Sequence, residues 1–226
     1  MTSKTYLLGK PTIKRLRKIA VTYPQDILDE SGLPSYTSGF LPYRWLLSHR
    51  LNILLSKLPA GADKKILDFG CGTGILLVEI SKRYRKVIGV DLNVDLAREY
   101  LQLNNISNVR LICNKEVPVL DVAGEGNFDA IVCAQVLEHL EPKIIAETMQ
   151  SLKKLLVPGG TFIVSLPTEN LLYRIGRAIV GFSGDYHRAS WQDVLNAIGT
   201  AGLHLIEHIS VFRVFTFYKL FVFFKA

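Results

Sequence analysis

Glycines at alternate positions, directly after an apolar segment, are the first feature of this sequence that indicates chemistry. The segment reads Ile66-Leu-Asp-Phe-Gly-Cys-Gly-Thr-Gly74 and continues into an apolar stretch with helical spacing. Glycine lets the chain turn sharply and lets a ligand lie against bare backbone, while the first turn of a helix offers unpaired N–H groups. These residues therefore predict a nucleotide-type binding site.

Two common glycine loops do not fit this segment. A dinucleotide fingerprint of the form GxGxxG requires glycine at position 75, where the sequence has Ile75. A Walker phosphate loop requires Lys followed by Ser or Thr, and no lysine directly follows these glycines. An NAD-linked oxidoreductase is therefore a disfavoured alternative.

An acid ends the next apolar segment, Val87-Ile-Gly-Val-Asp91. In doubly wound folds, an acid about 20 residues beyond the glycine turn reaches the ribose hydroxyls. A carboxylate at that place accepts hydrogen bonds from both hydroxyls and repels a 2′-phosphate, so Asp91 predicts an adenosine moiety. Taken alone, Asp91 is also explained as a cap for the helix that begins near Val94.

The spacing of apolar residues predicts the elements that hold these groups. Strand-like runs alternate with helical stretches, which is typical of a parallel sheet with helices on both faces. The predicted strands are 65–69, 86–90, 109–113, 128–132 and 161–165, and the predicted helices are 43–58, 75–83, 94–103, 143–156 and 191–201. Residues 203–210 and 213–224 predict two strands that pair antiparallel as a hairpin, because their connection is too short for a parallel crossover.

The N-terminal residues follow a different pattern. Prolines and glycines interrupt the chain up to about Ser38, which predicts an irregular extension with one short helix near 26–30.

Four motifs, in their order and spacing, resemble those of class I S-adenosylmethionine-dependent methyltransferases. They are Leu67-Asp-Phe-Gly-Cys-Gly-Thr-Gly74, Gly89-Val-Asp91, Phe128-Asp-Ala-Ile-Val-Cys133 with Val136-Leu-Glu-His139, and Leu155-Leu-Val-Pro-Gly-Gly160. The resemblance covers roughly residues 58–210. It implies an α/β fold, a doubly wound seven-stranded mixed sheet of the Rossmann-like methyltransferase type with an antiparallel C-terminal hairpin.

The resemblance also implies an activity and a domain plan. The activity is transfer of a methyl group from S-adenosylmethionine, with S-adenosylhomocysteine as the product. We expect residues 1–58 to form an extension with a lid helix and residues 59–226 to form the methyltransferase domain, with a cover segment at about 167–190.

Carried over by position, the motifs imply a set of cofactor contacts. The glycine turn and Asp68 would surround the methionine moiety, Asp91 would hold the ribose, and Leu92 would pack on the adenine. Lys115 stands where the family often has an acid that accepts from the adenine amino group, so Glu116 or the backbone is expected to replace that contact. The full set is Asp68, Phe69, Gly70, Cys71, Gly72, Gly74, Asp91, Leu92, Lys115, Glu116, Cys133 and Gln135.

Two histidines are candidates for removing a proton from the acceptor, His139 and His187. The alternatives are a packing or capping role for His139 and no role for His187. The Glu138-His139 pair resembles a stretch of ubiquinone-biosynthesis O-methyltransferases in which acids and a histidine cluster and hold a metal. Because Gln135 replaces one of those acids, no metal is predicted.

The composition excludes several other classes of protein. The chain has 226 residues, of which 49% are hydrophobic and 21% charged, so it suits a globular core rather than a disordered or collagen-like chain. Its cysteines, Cys71, Cys113 and Cys133, form no CxxC pair, which favours reduced thiols and a cytoplasmic location without a zinc finger. No secretion signal is expected, because the first ten residues lack its apolar core.

The net charge of +7 bears on the partners. Six cations precede the first acid, Asp26, and they are Lys4, Lys10, Lys14, Arg15, Arg17 and Lys18. This basic arm predicts either a solvated tail or an electrostatic handle for nucleic acid or anionic lipid. The basic apolar stretch 171–182 would add to a peripheral membrane contact.

The acceptor is expected to be a small-molecule or lipid-like compound that receives the methyl group on O, N or C. The Asn/Asp-Pro-Pro-Tyr motif of many DNA methyltransferases is absent after the fourth strand, where Cys133-Ala-Gln-Val136 stands, so sequence-specific nucleic acid is not an expected partner. The alternative that is not an enzyme is a module that binds S-adenosylmethionine without turnover.

Overall fold

The computed structural model describes residues 7–115, 128–168, 187–212 and 216–226. Helices of the described residues are α1 (Lys10–Ala20), α2 (Gln25–Glu30), α3 (Leu33–Thr37), α4 (Leu41–Ser56), α5 (Ile75–Ser81), α6 (Asp95–Leu103), α7 (Pro142–Leu155) and α8 (Trp191–Thr200). Strands are β1 (Lys65–Phe69), β2 (Lys86–Asp91), β3 (Val109–Cys113), β4 (Phe128–Ala134), β5 (Leu156–Pro167), β6 (His204–Val211) and β7 (Tyr218–Phe224).

The strands form one sheet in the order β3-β2-β1-β4-β5-β7-β6. Neighbours from β3 to β5 run parallel, whereas β7 runs antiparallel to both β5 and β6. The predicted mixed α/β sheet and its antiparallel end are therefore confirmed. The strand order reverses between β1 and β4, and ligands of such sheets bind beyond the carboxyl ends of the strands at that reversal.

Helices cover both faces of the sheet. Buried side chains of α1 to α6 pack with Ile66, Val87 and Val132 on one face, and those of α7 and α8 pack with Leu67 and Phe69 on the other. Side chains alternate between the faces along a strand. Asp68, between Leu67 and Phe69, therefore points toward the layer that contains the N-terminal helices.

The N-terminal region is more regular than its sequence predicts. The expectation of one short helix before Ser38 was wrong, because α1 and α3 also lie there. Their prolines stand in the first turn of a helix, where the missing N–H has no intrahelical partner to lose. Ile13, Leu16 and Ile19 of α1 are buried, so packing on the domain explains the helix.

Hydrogen bonds join the segment before α8 to the turn after β4. Backbone N–H groups of Arg188 and Ala189 both donate to the carbonyl of Glu138, at 2.8 and 3.2 Å. A capping box between Ser190 and Asp193 then begins α8. These bonds hold residues 187–190 against the turn that follows β4. Most of the predicted cover segment, residues 169–186, lies outside the described residues.

Within the described residues, no helix combines the length and the apolar character needed to cross a membrane.

Candidate functional site

An unusual carboxylate lies near the C-terminal end of β1. Asp68 is 1% exposed, and neither of its side-chain oxygens has a hydrogen-bond partner among the described residues. Burial, with a smaller contribution from the charge of Asp91, raises the pKa of Asp68 to about 7. A buried carboxylate without partners is unstable as an anion unless a cation or a donor reaches it.

The glycine turn leaves no room for side chains. Gly70 has a φ of 77°, and a Cβ there would lie 2.0 Å from Cγ2 of Val136. Gly72 has a φ of 48°, and its Cβ would lie 3.0 Å from the carbonyl oxygen of Ser31, between α2 and α3. The N-terminal helices therefore contact this turn directly. Both glycines are required by conformation and by close approach.

Asp91 closes the turn from the neighbouring strand. Its carboxylate accepts from the N–H of Gly72 at 2.7 Å and is largely buried. Burial raises the pKa of Asp91, and the bonds from backbone N–H groups oppose that rise. The predicted glycine and acid motifs therefore meet at one place, at the carboxyl ends of β1 and β2.

The residues after β2 and β3 surround the expected adenine position. Leu92 is an exposed apolar side chain, at 53%, which suits a residue that packs on a ligand. Lys115 is exposed, whereas the side-chain oxygen of its neighbour Asn114 is buried without a partner among the described residues. Asn114 is thus an acceptor that the sequence analysis missed. Glu116 lies outside the described residues.

The end of β4 has a strained backbone. Gln135 has a φ of 60°, which is uncommon for a residue other than glycine, and its N–H donates to the carbonyl of Ser165 at 3.0 Å. The hydroxyl of Ser165 is buried and has no partner in the described part of the chain. Backbone strain of this kind is frequent at functional sites.

Three predicted contact residues have side chains inside the core. Phe69, Cys71 and Cys133 are at most 6% exposed. Burial raises the pKa of the Cys71 and Cys133 thiols well above the ordinary value, so both are neutral. Any contact of these residues with a ligand would therefore use the backbone.

The two predicted histidines lie together beyond β4. The ring centroids of His139 and His187 are 5.0 Å apart. Three side chains, those of Glu138, His139 and His187, each place one potential metal-ligating atom within 4.8 Å of the other two. Imidazole nitrogens and a carboxylate are donors that divalent transition metals accept, so this group fits a metal as well as a proton-transfer role. The expectation of no metal remains untested.

A buried arginine was missed by the sequence analysis. Arg50 of α4 is 1% exposed, donates to the hydroxyl of Tyr36 at 3.3 Å and lies over the ring of Tyr218, with its guanidinium carbon 4.7 Å from the centroid. Burial raises the pKa of Tyr36, while the Arg50 guanidinium lowers it and the Asp68 carboxylate raises it. A fixed cation therefore lies on the same side of the turn as Asp68.

The signal for Arg50 was present in the sequence. Leu46, Arg50 and Leu54 are four residues apart, and both leucines are buried. A charged residue within the apolar stripe of a helix is buried with it and needs a polar partner.

Aromatic side chains also lie near the carboxyl ends of β5 and β6. Tyr218 at the start of β7 pairs with Pro167 at the end of β5. Beyond β6, Phe212 lies 5.2 Å from Trp45 and 5.7 Å from His49, measured between ring centroids. The rings of Trp45, His49 and Phe212 form an aromatic cluster at the carboxyl end of β6, whereas Tyr218 is buried.

Comparison with known proteins agrees with this geometry. A family model described as a methyltransferase domain matches residues 43–222. The ubiquinone biosynthesis O-methyltransferase of Acinetobacter baumannii strain ACICU is 31% identical over 186 residues, which cover 75% of this chain and 76% of the relative. The enzyme of the same name from Acinetobacter baylyi is 30% identical and covers 80% and 82% of the two chains.

Solved structures with low sequence identity share the fold. The N-methyltransferase NodS of Bradyrhizobium japonicum WM9, in complex with S-adenosylhomocysteine, has a TM-score of 0.64 at 20% identity and covers 80% of this chain and 88% of its own. The magnesium protoporphyrin IX methyltransferase of Synechocystis PCC 6803, also with S-adenosylhomocysteine, has a TM-score of 0.64 at 16% identity and covers 92% and 99%. From the family match and the relatives that cover three quarters of its length, this chain belongs to the class I S-adenosylmethionine-dependent methyltransferases.

Proposed function

We propose that this methyltransferase binds the methionine part of its donor between two buried charges. The carboxylate of Asp68, which has no hydrogen-bond partner among the described residues, carries this proposal, because it needs a cation and the donor offers an α-ammonium group. Arg50, a buried cation that donates to the hydroxyl of Tyr36, would pair with the α-carboxylate. The residues present thus fit the amino acid end of S-adenosylmethionine.

The adenosine part would lie along the ends of β2 and β3. Asp91 would hold the ribose hydroxyls, and Leu92 would pack on the adenine. We infer that the side-chain oxygen of Asn114, rather than Lys115, accepts from the adenine amino group, because it is a buried acceptor without a partner among the described residues.

The acceptor is proposed to be a phenolic or similar hydroxyl on a small apolar molecule. Two observations support this choice. The relatives that share about 30% identity are named ubiquinone biosynthesis O-methyltransferases. The partly exposed ring cluster of Trp45, His49 and Phe212 offers aromatic surface at the carboxyl end of the sheet.

In methyl transfer, the protein's role is to align donor and acceptor, to exclude water and to accept the proton of the acceptor. The sulfonium group of the bound donor supplies an activated methyl group, so no covalent step by the protein is needed. A hydroxyl acceptor must lose its proton as its oxygen attacks the methyl carbon. His139, with His187 beside it, is the proposed base, and the hydrogen bonds from residues 188 and 189 to Glu138 hold the pair together.

A metal is the second role that the histidine pair would fit. Glu138, His139 and His187 offer a donor set for one divalent ion. Such an ion, when bound, would lower the pKa of an acceptor hydroxyl. Removal of metal ions by a chelator distinguishes metal binding from proton removal by the histidines.

We also propose that the N-terminal extension covers the site and that the protein is cytoplasmic. Contact of Ser31 with Gly72 supports a covering role for the N-terminal helices within residues 1–58, with 59–226 as the catalytic unit. The cysteines of the chain are free, in keeping with the proposed cytoplasmic location. A membrane contact through residues 171–182 concerns residues outside those described.

Replacing Asp68 by Asn tests the proposed ammonium contact. The pKa of Asp68 is about 7 in the folded chain and about 4 in an unfolded one, so its ionisation destabilises the ligand-free fold as pH rises from about 4 to 7. Asp68→Asn should therefore raise the melting temperature more at pH 8 than at pH 5, yet weaken S-adenosylhomocysteine binding by about tenfold or more. The exposed Asp63→Asn variant is the control. Unchanged affinity in Asp68→Asn would contradict the assignment.

Replacing Arg50 by Met tests the carboxylate contact. We expect the affinity for S-adenosylhomocysteine to fall by about 10- to 100-fold in calorimetry, because a buried charge pair is lost. Binding of 5′-methylthioadenosine, which has no carboxylate, should stay within about twofold if only that contact is lost. Arg85→Met, at an exposed position, is the matched control. Equal loss of both ligands would instead indicate a general packing role for Arg50.

Replacing the histidines separately tests proton removal. Methyl transfer from labelled S-adenosylmethionine is first followed on a panel of phenols, quinols and amines, and methyl recovered only on amines would contradict the hydroxyl acceptor. With the phenol found, His139→Asn should lower kcat by about 10²-fold or more, while S-adenosylhomocysteine affinity is retained. His187→Asn should have a smaller effect of the same kind. The exposed His204→Asn is the control.

Turnover that is unchanged in both histidine variants would exclude the pair from catalysis. Loss of wild-type turnover in EDTA, restored by a divalent ion, would assign the pair to metal binding instead of proton removal.

A further inference from the structure

A basic groove lies between α1 and the beginning of α4, and none of the roles above uses it. It has a volume of about 400 Å³ and is lined by Lys10, Ile13, Lys14, Arg17, Gly39 and Arg44. Four of these six residues are cations, and no carboxylate of the described residues lines the groove. Ile13 is buried and forms its apolar floor.

The cations of α1 are aligned by the helix. Lys10, Lys14 and Arg17 are separated by four and three residues, so their exposed side chains follow one face. Arg17 also donates to the carbonyl of Thr37 at 3.1 Å, which joins α1 to the end of α3. On the other flank of α1, a groove of about 410 Å³ is lined by Pro11, Lys14, Arg15, Lys18 and Leu103. Positive charge therefore continues around the helix.

Arg44 adds an observation that points to a ligand. Its Nε is buried and has no hydrogen-bond partner in the described part of the chain. A buried guanidinium N–H without an acceptor is costly, and the neighbouring lysines make an anionic acceptor the favoured partner. Phosphate oxygens match a guanidinium in geometry and in charge.

Exposed apolar side chains lie beside the same groove. Phe40 is 51% exposed and Leu41 is 60% exposed. Along the chain, both lie between the groove residues Gly39 and Arg44. Leu41 is three residues before Arg44 in α4, so the two side chains are neighbours on the helix surface. A surface that offers cations for phosphate next to apolar side chains for acyl chains has the chemistry of an interfacial membrane site.

We propose that this groove binds the headgroup phosphates of anionic phospholipids, with Phe40 and Leu41 entering the interface, and so docks the protein on a membrane surface. Nucleic acid would use the same cations but would leave Phe40 and Leu41 exposed to water. The docking does not depend on the identity of the methyl acceptor, and it is measured without turnover.

Vesicle flotation with the full chain tests the proposal. We expect binding to phosphatidylcholine vesicles that contain about 30 mol % phosphatidylglycerol, little binding to phosphatidylcholine alone, and release in about 0.5 M NaCl. Lys10→Glu/Lys14→Glu should lower the binding by about tenfold or more. This variant is expected to fold, because both side chains are exposed and the glutamate at position 10, in the first turn of α1, complements the helix dipole. Arg85→Glu/Lys86→Glu, at the opposite end of the sheet, carries the same charge change and should bind as the wild type does.

A second variant separates the phosphate contact from net charge. Arg44→Met should weaken binding to the anionic vesicles while Arg85→Met does not, and S-adenosylhomocysteine affinity should be unchanged in both. Equal binding to neutral and anionic vesicles, wild-type binding by the Lys10/Lys14 variant, or no vesicle binding at all would overturn the proposal. Binding to a single-stranded RNA probe without binding to vesicles would also overturn it, and would assign the cations to nucleic acid.

Discussion

A carboxylate that is buried without a hydrogen-bond partner in the described part of the chain is the constraint on which this structure depends. Asp68 is the next-to-last residue of β1, and both of its neighbours along the strand point into the opposite hydrophobic layer. The fold places an acid where ionisation is costly, and the pKa of about 7 is the consequence. Such a position is stable as a charge only when a cation is present, which couples the ligand to the ionisation state of the protein.

The N-terminal helices pack on the face of the sheet toward which that carboxylate points, and in the proposed function they complete the site. Ser31 lies against Gly72, and Tyr36 accepts a hydrogen bond from the guanidinium of Arg50, while the charge of Asp68 raises the pKa of Tyr36. The same helices carry the basic groove on their outer side, between Lys10 and Arg44. In the proposed function, one segment thus contributes both to the cofactor site and to a charged outer surface. Movement of this segment would affect both.

The sequence predicted the sheet well because its strands are short apolar runs with clear ends. Lys65–Phe69 and Val109–Cys113 were predicted with the bounds that the structure has. The N-terminal helices were missed because prolines such as Pro11 were interpreted as interruptions, whereas they stand in the first turn. Tertiary packing of Ile13 and Leu16, which no local pattern reports, stabilises that helix.

The parts of the candidate site that lie within one sequence motif could be predicted. The parts that form where distant segments of the chain meet could not. The glycine turn and Asp91 lie within about 20 residues of each other, and the fold family fixes their relation. The approach of His187 to His139 depends on hydrogen bonds from residues 188 and 189 to Glu138, and nothing in the local sequence indicates them. Asn114 was passed over because its neighbour Lys115 occupies the motif position, and only burial distinguishes the two.

Proton release on ligand binding tests the central claim most directly. Calorimetry of S-adenosylhomocysteine binding at pH 6, in buffers of different ionisation enthalpy, gives the number of protons exchanged. If Asp68 is protonated in the free protein and ionised against the ligand's ammonium group, about one proton should be released at pH 6 and almost none at pH 9. Binding at pH 6 without proton release would mean that the ligand does not meet an ionised Asp68, and would contradict the account.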